Sequence, residues 1–379
     1  MIYFDHNATT PIALPVLEAM LPFLKESYGN ASSRHGLGTL AREAVEAARE
    51  QVAAAAGVQP VQVVFTSGGT EANNLLVKGA ALRLKPAQIA VSAIEHPCVR
   101  EPAKQLVRQG WTVAELGVDS DGVVRQTDLT LALDKPTGIV SVMLANNETG
   151  AIQPVAKLGE QARAARAVMH TDAVQAFGKI PLRFAELNVD AMTVSSHKIY
   201  GPKGAGALIV DKRLDLLPLL AGGGHERGAR SGTENVAAIV GFGAAAELAI
   251  ALQQSYHDHV EPLRARLEAG LRERSARTFG DAVDRVPNTS YFAFPDVEGE
   301  TLVIQLDAGG FATASGAACS SHHTGPSHVL LAMGVDEAIA GRAVRVSLGR
   351  GNDEAQVDAF LAELDNVLGR LARMAAIAA

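Results

Sequence analysis

The chain has 379 residues, of which 47% are hydrophobic and 20% are charged. At about 150 residues per domain, this length predicts two to three domains with a large buried core and excludes general disorder. The formal net charge is −7 and no dense run of Lys or Arg occurs, which argues against a dedicated nucleic-acid-binding or membrane-surface protein. Only two cysteines occur, Cys98 and Cys319, so we expect no disulfide framework and a reducing compartment.

The N-terminal segment MIYFDHNATTPIALP has no basic stretch followed by an apolar one, so we expect no signal peptide. Uninterrupted apolar runs of about 18 residues, which a membrane helix needs, do not occur in the sequence. We therefore expect a soluble, cytoplasmic, globular protein.

Short apolar segments alternate with helical patterns through the first two-thirds of the chain. Helices are predicted over residues 39–56, ending at Gly57, and over 155–167. This alternation predicts an α/β fold with a mostly parallel sheet covered by helices, and a segment at 205–210 could add to that sheet in the antiparallel direction. The buried strands are predicted at residues 61–66, 88–92, 138–144, 168–171 and 191–195.

The pattern changes after an alanine-rich helix at residues 235–252. The segments that follow are a helix at 261–275, strands at 289–294 and 343–348, and a terminal helix at 354–373. We expect a large domain over residues 15–255, and a smaller α+β domain formed by residues 1–14 and 256–379. The smaller domain would carry a glycine-rich loop at about 314–326.

Lys198 and Asp172 each follow a predicted buried strand. Lys198 lies in the segment SSHKIYGPKG, where small neighbours and a histidine suit a lysine that forms a Schiff base with an aldehyde cofactor, although most single lysines are surface residues. Asp172 would be costly to bury without a cationic partner, and the pyridinium nitrogen of pyridoxal phosphate is such a partner. The alternative for Asp172 is a cap on the following segment.

The segment SGGTEAN, with Gly69 and Thr70, lies between a predicted strand and a helix. Small residues and the electropositive helix N-terminus suit an anion, although Gly-Gly before a helix is often only a tight turn. The spacing fits neither a P-loop nor a G-x-G-x-x-G dinucleotide fingerprint. His96 and Asn147 follow two further strands, where either residue could simply belong to a polar loop. Because five consecutive strands end in polar clusters, we expect a ligand site at that edge of the sheet.

Cys319 lies in the segment SGAACSSHHTGP, which offers little apolar surface for burying a thiol, so we interpret it as a reactive cysteine. Cys98 falls in a predicted helix at 97–108 and is interpreted as structural. His322 and His323 could tune the thiolate. We expect no metal site there, because neighbouring side chains diverge and no other ligand set is evident.

A series of motifs runs along the chain: DHNATTP, SGGTEANN, EHPCV, NNETG, HTDAVQ, SSHKIYGPKG, GGGHERGARSGTEN, SGAACSS and RVSLGR. In this order the motifs resemble those of the cysteine desulfurases of the NifS/IscS type, from Tyr3 to about Arg350. The resemblance implies fold type I of the pyridoxal phosphate enzymes, with a mostly parallel seven-stranded sheet and a smaller α+β domain. It also implies a homodimer that converts L-cysteine to L-alanine and keeps the sulfur as an enzyme persulfide.

The same resemblance implies roles for individual residues. Lys198 would bind the cofactor as a Schiff base, Asp172 would contact its pyridinium nitrogen, and Gln175 would bond its phenolic oxygen. His96 would stack on the ring and assist proton transfer. The phosphate-binding positions would be Gly69, Thr70, Ser195, His197 and, from the neighbouring subunit, Thr233.

Three further positions concern the substrate. Asn147 would contact cofactor and substrate, Arg345 would clamp the substrate carboxylate with its two-pronged guanidinium, and Cys319 would accept the sulfur. The SGAACSS setting resembles the longer-loop group of the family. His322 and His323 depart from the small residues that the resemblance leads us to expect, so the charge distribution of the loop differs.

The resemblance also implies a sulfur-acceptor protein, either an iron–sulfur scaffold or a thiolation enzyme. The chain ends at Ala379, whereas housekeeping members carry a longer tail that docks the scaffold, which leaves room for a tRNA- or DNA-thiolation partner. Two alternatives stay open within the fold, an aminotransferase, which needs no loop cysteine, and a selenocysteine lyase. A third alternative is an inactive partner-binding homologue. Joint retention of Lys198, Asp172, His96, Arg345 and Cys319 argues against it.

Overall fold

The computed structural model describes residues 1–315 and 325–378. The strands within these ranges are β1 (Ile2–Tyr3), β2 (Val63–Thr66), β3 (Gln88–Ser92), β4 (Thr112–Leu116), β5 (Thr137–Ser141), β6 (Val168–Asp172), β7 (Ala191–Ser195), β8 (Gly206–Val210), β9 (Arg277–Thr278), β10 (Thr289–Ala293), β11 (Phe311–Ala312), β12 (Ala314–Ser315) and β13 (Ala343–Ser347).

The α-helices of the same ranges are α1 (Leu14–Lys25), α2 (Gly36–Ala56), α3 (Gly69–Ala81), α4 (Pro97–Leu106), α5 (Gln126–Leu133), α6 (Val155–Ala164), α7 (Val236–Ala251), α8 (Gln253–Glu273), α9 (Gly299–Ala308), α10 (His328–Ala332), α11 (Glu337–Ala340) and α12 (Glu354–Ala378).

A large sheet of the order β2-β8-β7-β6-β5-β3-β4 organises the first two-thirds of the chain. β8 is antiparallel to both of its neighbours, and the other strands run in one direction. The predicted α/β class, the mostly parallel sheet and the antiparallel addition are confirmed. The sequence interpretation missed β4, an edge strand whose mostly exposed residues give no buried apolar signature.

Helix bounds follow local signals where these are strong. α2 ends at Ala56, and Gly57 after it adopts the left-handed conformation at φ 70° and stops the helix as predicted. α8 begins at Gln253, earlier than predicted, because its first turns read QQSYHDH and carry no clear apolar period. Pro262 lies inside this helix rather than at its start.

Two apolar clusters hold the elements together. The first packs α2 and α7 against the large sheet, with the rings of Phe65 and Phe242 in edge contact at 6.2 Å between centroids. The second lies under a four-stranded sheet of the order β12-β13-β10-β9 and includes Phe4, Phe311 and Phe360. β1 pairs in parallel with β11, so the N-terminal residues join this second region. The predicted domain boundaries stay a prediction.

Within residues 1–315 and 325–378, no single helix is long and apolar enough to cross a membrane. α7 and α8 taken together are long and apolar enough for a membrane span, but the pair is bent by 70°.

Candidate active site

The loops that follow β2, β3, β5, β6 and β7 meet at one edge of the large sheet, because these strands run in the same direction. A cavity of about 250 Å³ opens there. The structure brings most of the predicted site residues into its wall, namely Gly69, Thr70, His96, Asn147, Asp172, Gln175, Ser195, His197 and Lys198.

Lys198 lies in a short 3-10 turn directly after β7. Its Nζ donates to the carbonyl oxygen of Ala8 at 2.7 Å and to that of Asn7. Burial, reinforced by the charge of Lys198, lowers the pKa of the adjacent His197 to about 4. His197 is therefore uncharged near pH 7, and the amine is held at the cavity by neutral backbone acceptors.

Asp172 ends β6 and is 6% exposed. Its Oδ2 accepts from Asn73 Nδ2 at 2.7 Å and its Oδ1 from the backbone nitrogen of Val174 at 2.9 Å. Among the described residues it forms no ion pair within 4.0 Å. Burial and the charge of Asp172 raise the pKa of nearby Glu95 well above its usual range. Asp172 is thus a buried carboxylate with neutral partners at the cavity.

The start of α3 forms a corner of the cavity whose groups suit an anion. Gly69 begins this helix, so its first backbone N–H groups point out at the cavity edge. The buried hydroxyl of Ser195 has no hydrogen-bond partner among the described residues. A Cβ added to Gly206 would lie 2.7 Å from backbone atoms of Gly68, so this glycine lets the loop approach the sheet closely.

His96 occupies the N-cap position of α4, and its Nδ1 lies 2.9 Å from the Sγ of Cys98. The same thiol accepts from Asn73 Nδ2 at 3.0 Å, and Cys98 lines the cavity. The predicted helix around Cys98 is confirmed, but its thiol faces the site rather than only the core. The sequence held a weak signal for this, since Cys98 follows His96 by two residues.

Arg345 reaches the site from β13 and is 3% exposed. Its Nη1 donates to the carbonyl oxygen of Asn147 at 2.9 Å, and its Nη2 pairs with Asp5 Oδ1 at 2.7 Å. The guanidinium lies beside the cavity residue Asn147 but is not itself part of the cavity wall.

One predicted site residue, Thr233, lies elsewhere. Thr233 is exposed and lines a separate cavity of about 210 Å³ together with Ser67 and Arg230. Cys319, like His322 and His323, lies outside the described residues.

Comparison with known proteins shows the family. The family model for class-V aminotransferases matches residues 2–360. Cysteine desulfurase IscS of Dictyoglomus turgidum is 41% identical over 374 residues, which cover 98% of this chain and 95% of that protein. The chain belongs to the cysteine desulfurases of the class-V aminotransferase family.

Solved structures agree with this membership. A NifS-like protein superimposes with a TM-score of 0.92 at 40% identity, covering 97% of this chain and 99% of that chain. A structure described as SspA in complex with cysteine gives a TM-score of 0.81 at 33% identity, covering 92% and 99%. The resemblance to the desulfurases and the expected fold type are confirmed.

Desulfurases of this family use pyridoxal phosphate, and the cavity residues fit that group. Among the described residues, the buried Asp172 meets only neutral donors and the hydroxyl of Ser195 has no hydrogen-bond partner, and the α3 N-terminus lies at the same cavity. Lys198 places a primary amine at the same cavity.

Sequence reasoning assigned no role to Asn7 or Lys179. Asn7 lines the cavity, and its carbonyl oxygen accepts from Gln175 Nε2 at 3.0 Å and from Lys198. Lys179 donates to the side chains of both Asn7 and Gln175. Asn7 lies within DHNATTP, a motif that marked the family without revealing which of its residues reach the site.

Proposed function

We propose that this desulfurase binds pyridoxal phosphate on Lys198 and converts L-cysteine to L-alanine, keeping the sulfur as a persulfide on Cys319. The proposal rests on one observation. The cavity gathers an amine, a buried carboxylate and an unsatisfied anion-binding corner at a single edge of the sheet. When bound, pyridoxal phosphate withdraws electrons from the α-carbon of the amino acid.

The chain's own residues would orient the cofactor. Asp172 would bind the ring nitrogen, because a buried anion stabilises a protonated pyridine. Gln175 would donate to the phenolic oxygen, and His96 would stack on the ring and move a proton. Gly69, Thr70, Ser195 and His197, which line the cavity, would hold the phosphate.

Substrate binding is assigned to Arg345 and Asn147. The guanidinium offers several N–H donors in a plane, which suits a carboxylate. Since Nη2 pairs with Asp5 at 2.7 Å, a substrate carboxylate would compete with Asp5 for this donor. The complex of SspA with cysteine, from a 33% identical protein, supports L-cysteine as the substrate.

The thiolate of Cys319 attacks the substrate sulfur. An S–S bond forms as the C–S bond breaks, and the released electron pair stays on the carbon, which a proton converts into the methyl group of alanine. This role rests on the SGAACSS motif.

The broader setting is also proposed. We infer a cytoplasmic homodimer in which Thr233 completes the phosphate site of the neighbouring subunit, since it lies apart from the Lys198 cavity of its own chain. The two-domain division at residues 14 and 255 belongs to the same proposal. The persulfide would pass to an iron–sulfur scaffold or to a thiolation enzyme.

The test measures alanine and persulfide from L-cysteine. Wild type is expected to make both products, and Cys319→Ala neither. Alanine from Cys319→Ala at the wild-type rate would overturn the assignment of the acceptor. An amino-group transfer activity that survives Cys319→Ala would instead favour an aminotransferase.

A further inference from the structure

Lys179 is a second lysine at the cavity and has no assigned role. It is 4% exposed and lies four residues after Gln175. Its Nζ donates to Asn7 Oδ1 at 3.0 Å and to Gln175 Oε1 at 2.8 Å. Both partners line the cavity that holds Lys198, so Lys179 contacts the site from behind its wall.

These two contacts fix the orientation of two carboxamides. With its oxygen turned to Lys179, Gln175 directs its NH2 group to the carbonyl oxygen of Asn7 at 3.0 Å. With its oxygen turned the same way, Asn7 directs its own NH2 group to Thr289 Oγ1 at 2.8 Å and to the carbonyl oxygen of Asn147 at 3.2 Å. A flipped amide would place NH2 against the donor Lys179 and lose these bonds.

The described residues place no carboxylate within ion-pair distance of Lys179. Among the described residues it forms no ion pair within 4.0 Å, and burial, with the charges of Lys198 and Arg345, lowers its pKa well below the usual range. A neutral amine has two N–H donors and one lone pair, which matches its two acceptors. The titratable and charged side chains that face it are His6, His197, Lys198, Arg345 and Arg350, together with the phenols of Tyr200 and Tyr256.

We propose that Lys179 is a positioning residue, which holds the Gln175 carboxamide so that its NH2 group, and not its oxygen, faces the cavity next to Lys198. Through Asn7 the same amine orders the carbonyl oxygen that accepts from Lys198. The inference deepens the proposed function, because it assumes that Gln175 donates to the phenolic oxygen of the cofactor. The second N–H of Gln175 is the group that would make this contact.

The first experiment uses the apo-protein and needs no cofactor. Wild type, Lys179→Met and the exposed control Lys157→Met are melted between about pH 7 and about pH 9. An uncharged Lys179 takes up a proton on unfolding. The stability of the wild type, compared with that of Lys179→Met, should therefore increase as the pH rises towards about 10.4, the usual lysine pKa. The Tm difference between these two proteins must therefore change with pH, whereas that of Lys157→Met stays constant. A pH-independent difference for Lys179→Met overturns the uncharged amine.

The second experiment reads the contact itself in a double-mutant cycle of Lys179→Met and Gln175→Ala. In the apo-protein, the Tm losses of the two variants should be less than additive. In the loaded protein, each single variant should raise the pH midpoint of the cofactor's visible absorption change by about one pH unit, and the double variant should do no more. Additive effects in both states would overturn the positioning role. If the wild type shows no cofactor absorption band, the proposed function is wrong. The contact between Lys179 and Gln175 is then still tested by the double-mutant cycle in the apo-protein.

Discussion

Arg345 donates from Nη1 to the carbonyl oxygen of Asn147 at 2.9 Å. This bond joins β13 of the four-stranded sheet to the loop after β5 of the large sheet. The guanidinium proposed to bind the substrate therefore comes from a different sheet than the residues of the cavity, and this bond is one of the contacts that join the two regions. A change in how the two regions pack would change where the substrate carboxylate binds.

Replacing Arg345 by Lys should weaken cysteine binding. A lysine keeps the charge but loses the planar fork, and each charge-assisted hydrogen bond contributes about 1.5–3 kcal/mol. We expect kcat/KM to fall by about 10- to 100-fold, mainly through KM. Steady-state kinetics measure this, with Arg342→Lys as the control, since Arg342 is bonded to Glu298 on the outer side. An unchanged KM in Arg345→Lys would refute the carboxylate assignment.

Replacing Asp172 by Asn should leave the cofactor bound but slow the reaction. The amide has nearly the same shape, yet it cannot stabilise a positive ring nitrogen, so kcat should fall by about 100-fold. Single-turnover alanine formation in Asp172→Asn checks this, beside the exposed control Asp258→Asn. If kcat stayed within a factor of about two, Asp172 would not be the ring partner.

Asn7 should contribute strongly to stability. Its side chain exchanges hydrogen bonds with Lys179, Thr289 and Asn288, all in the interior. Asn7→Ala removes one buried hydrogen bond from each of these groups, so the free energy of unfolding should fall by about 2–4 kcal/mol. Denaturant melts of the apo-protein measure it against Asn74→Ala, which loses one exposed bond to Thr70. An equal loss of unfolding free energy in Asn7→Ala and Asn74→Ala would contradict the stabilising role of the hydrogen bonds around Asn7.

Acid should destabilise the fold through His170. This residue is fully buried between Ser141 and Thr193, and burial lowers its pKa from 6.5 to about 3. The contribution of the neutral His170 to the free energy of unfolding is complete above pH 6.5. It is lost as the pH falls towards 3, at up to about 1.4 kcal/mol per pH unit.

The variant His170→Asn should accordingly melt with a shallower pH dependence than wild type between about pH 6 and about pH 4. Thermal melts across this range check it, with His257→Asn on the exposed face of α8 as the control. An identical slope in wild type and His170→Asn would show that this histidine does not titrate on unfolding.

The sequence reveals those parts of the site that follow a buried strand. Lys198 and Asp172 could be placed because apolar β-branched runs end directly before them, and parallel strands bring such ends together. The roles of Arg345 and Thr233 came from the resemblance alone. Asn7 and Lys179 could not be found, since their contact depends on packing between segments 172 residues apart. The edge strand β4 was not predicted because its residues are mostly exposed and show no apolar pattern. It is a strand because it pairs with β3.

The most direct test of the account is to identify the lysine that binds the cofactor. The protein is loaded with pyridoxal phosphate, reduced with borohydride, digested and mapped by mass spectrometry. Lys198 lines the cavity and Lys179 lies behind its wall, so the mapping discriminates between these two lysines. The account predicts the added mass on Lys198 alone. Labelling of Lys179, or no labelled peptide from a protein that retains its fold, would contradict it.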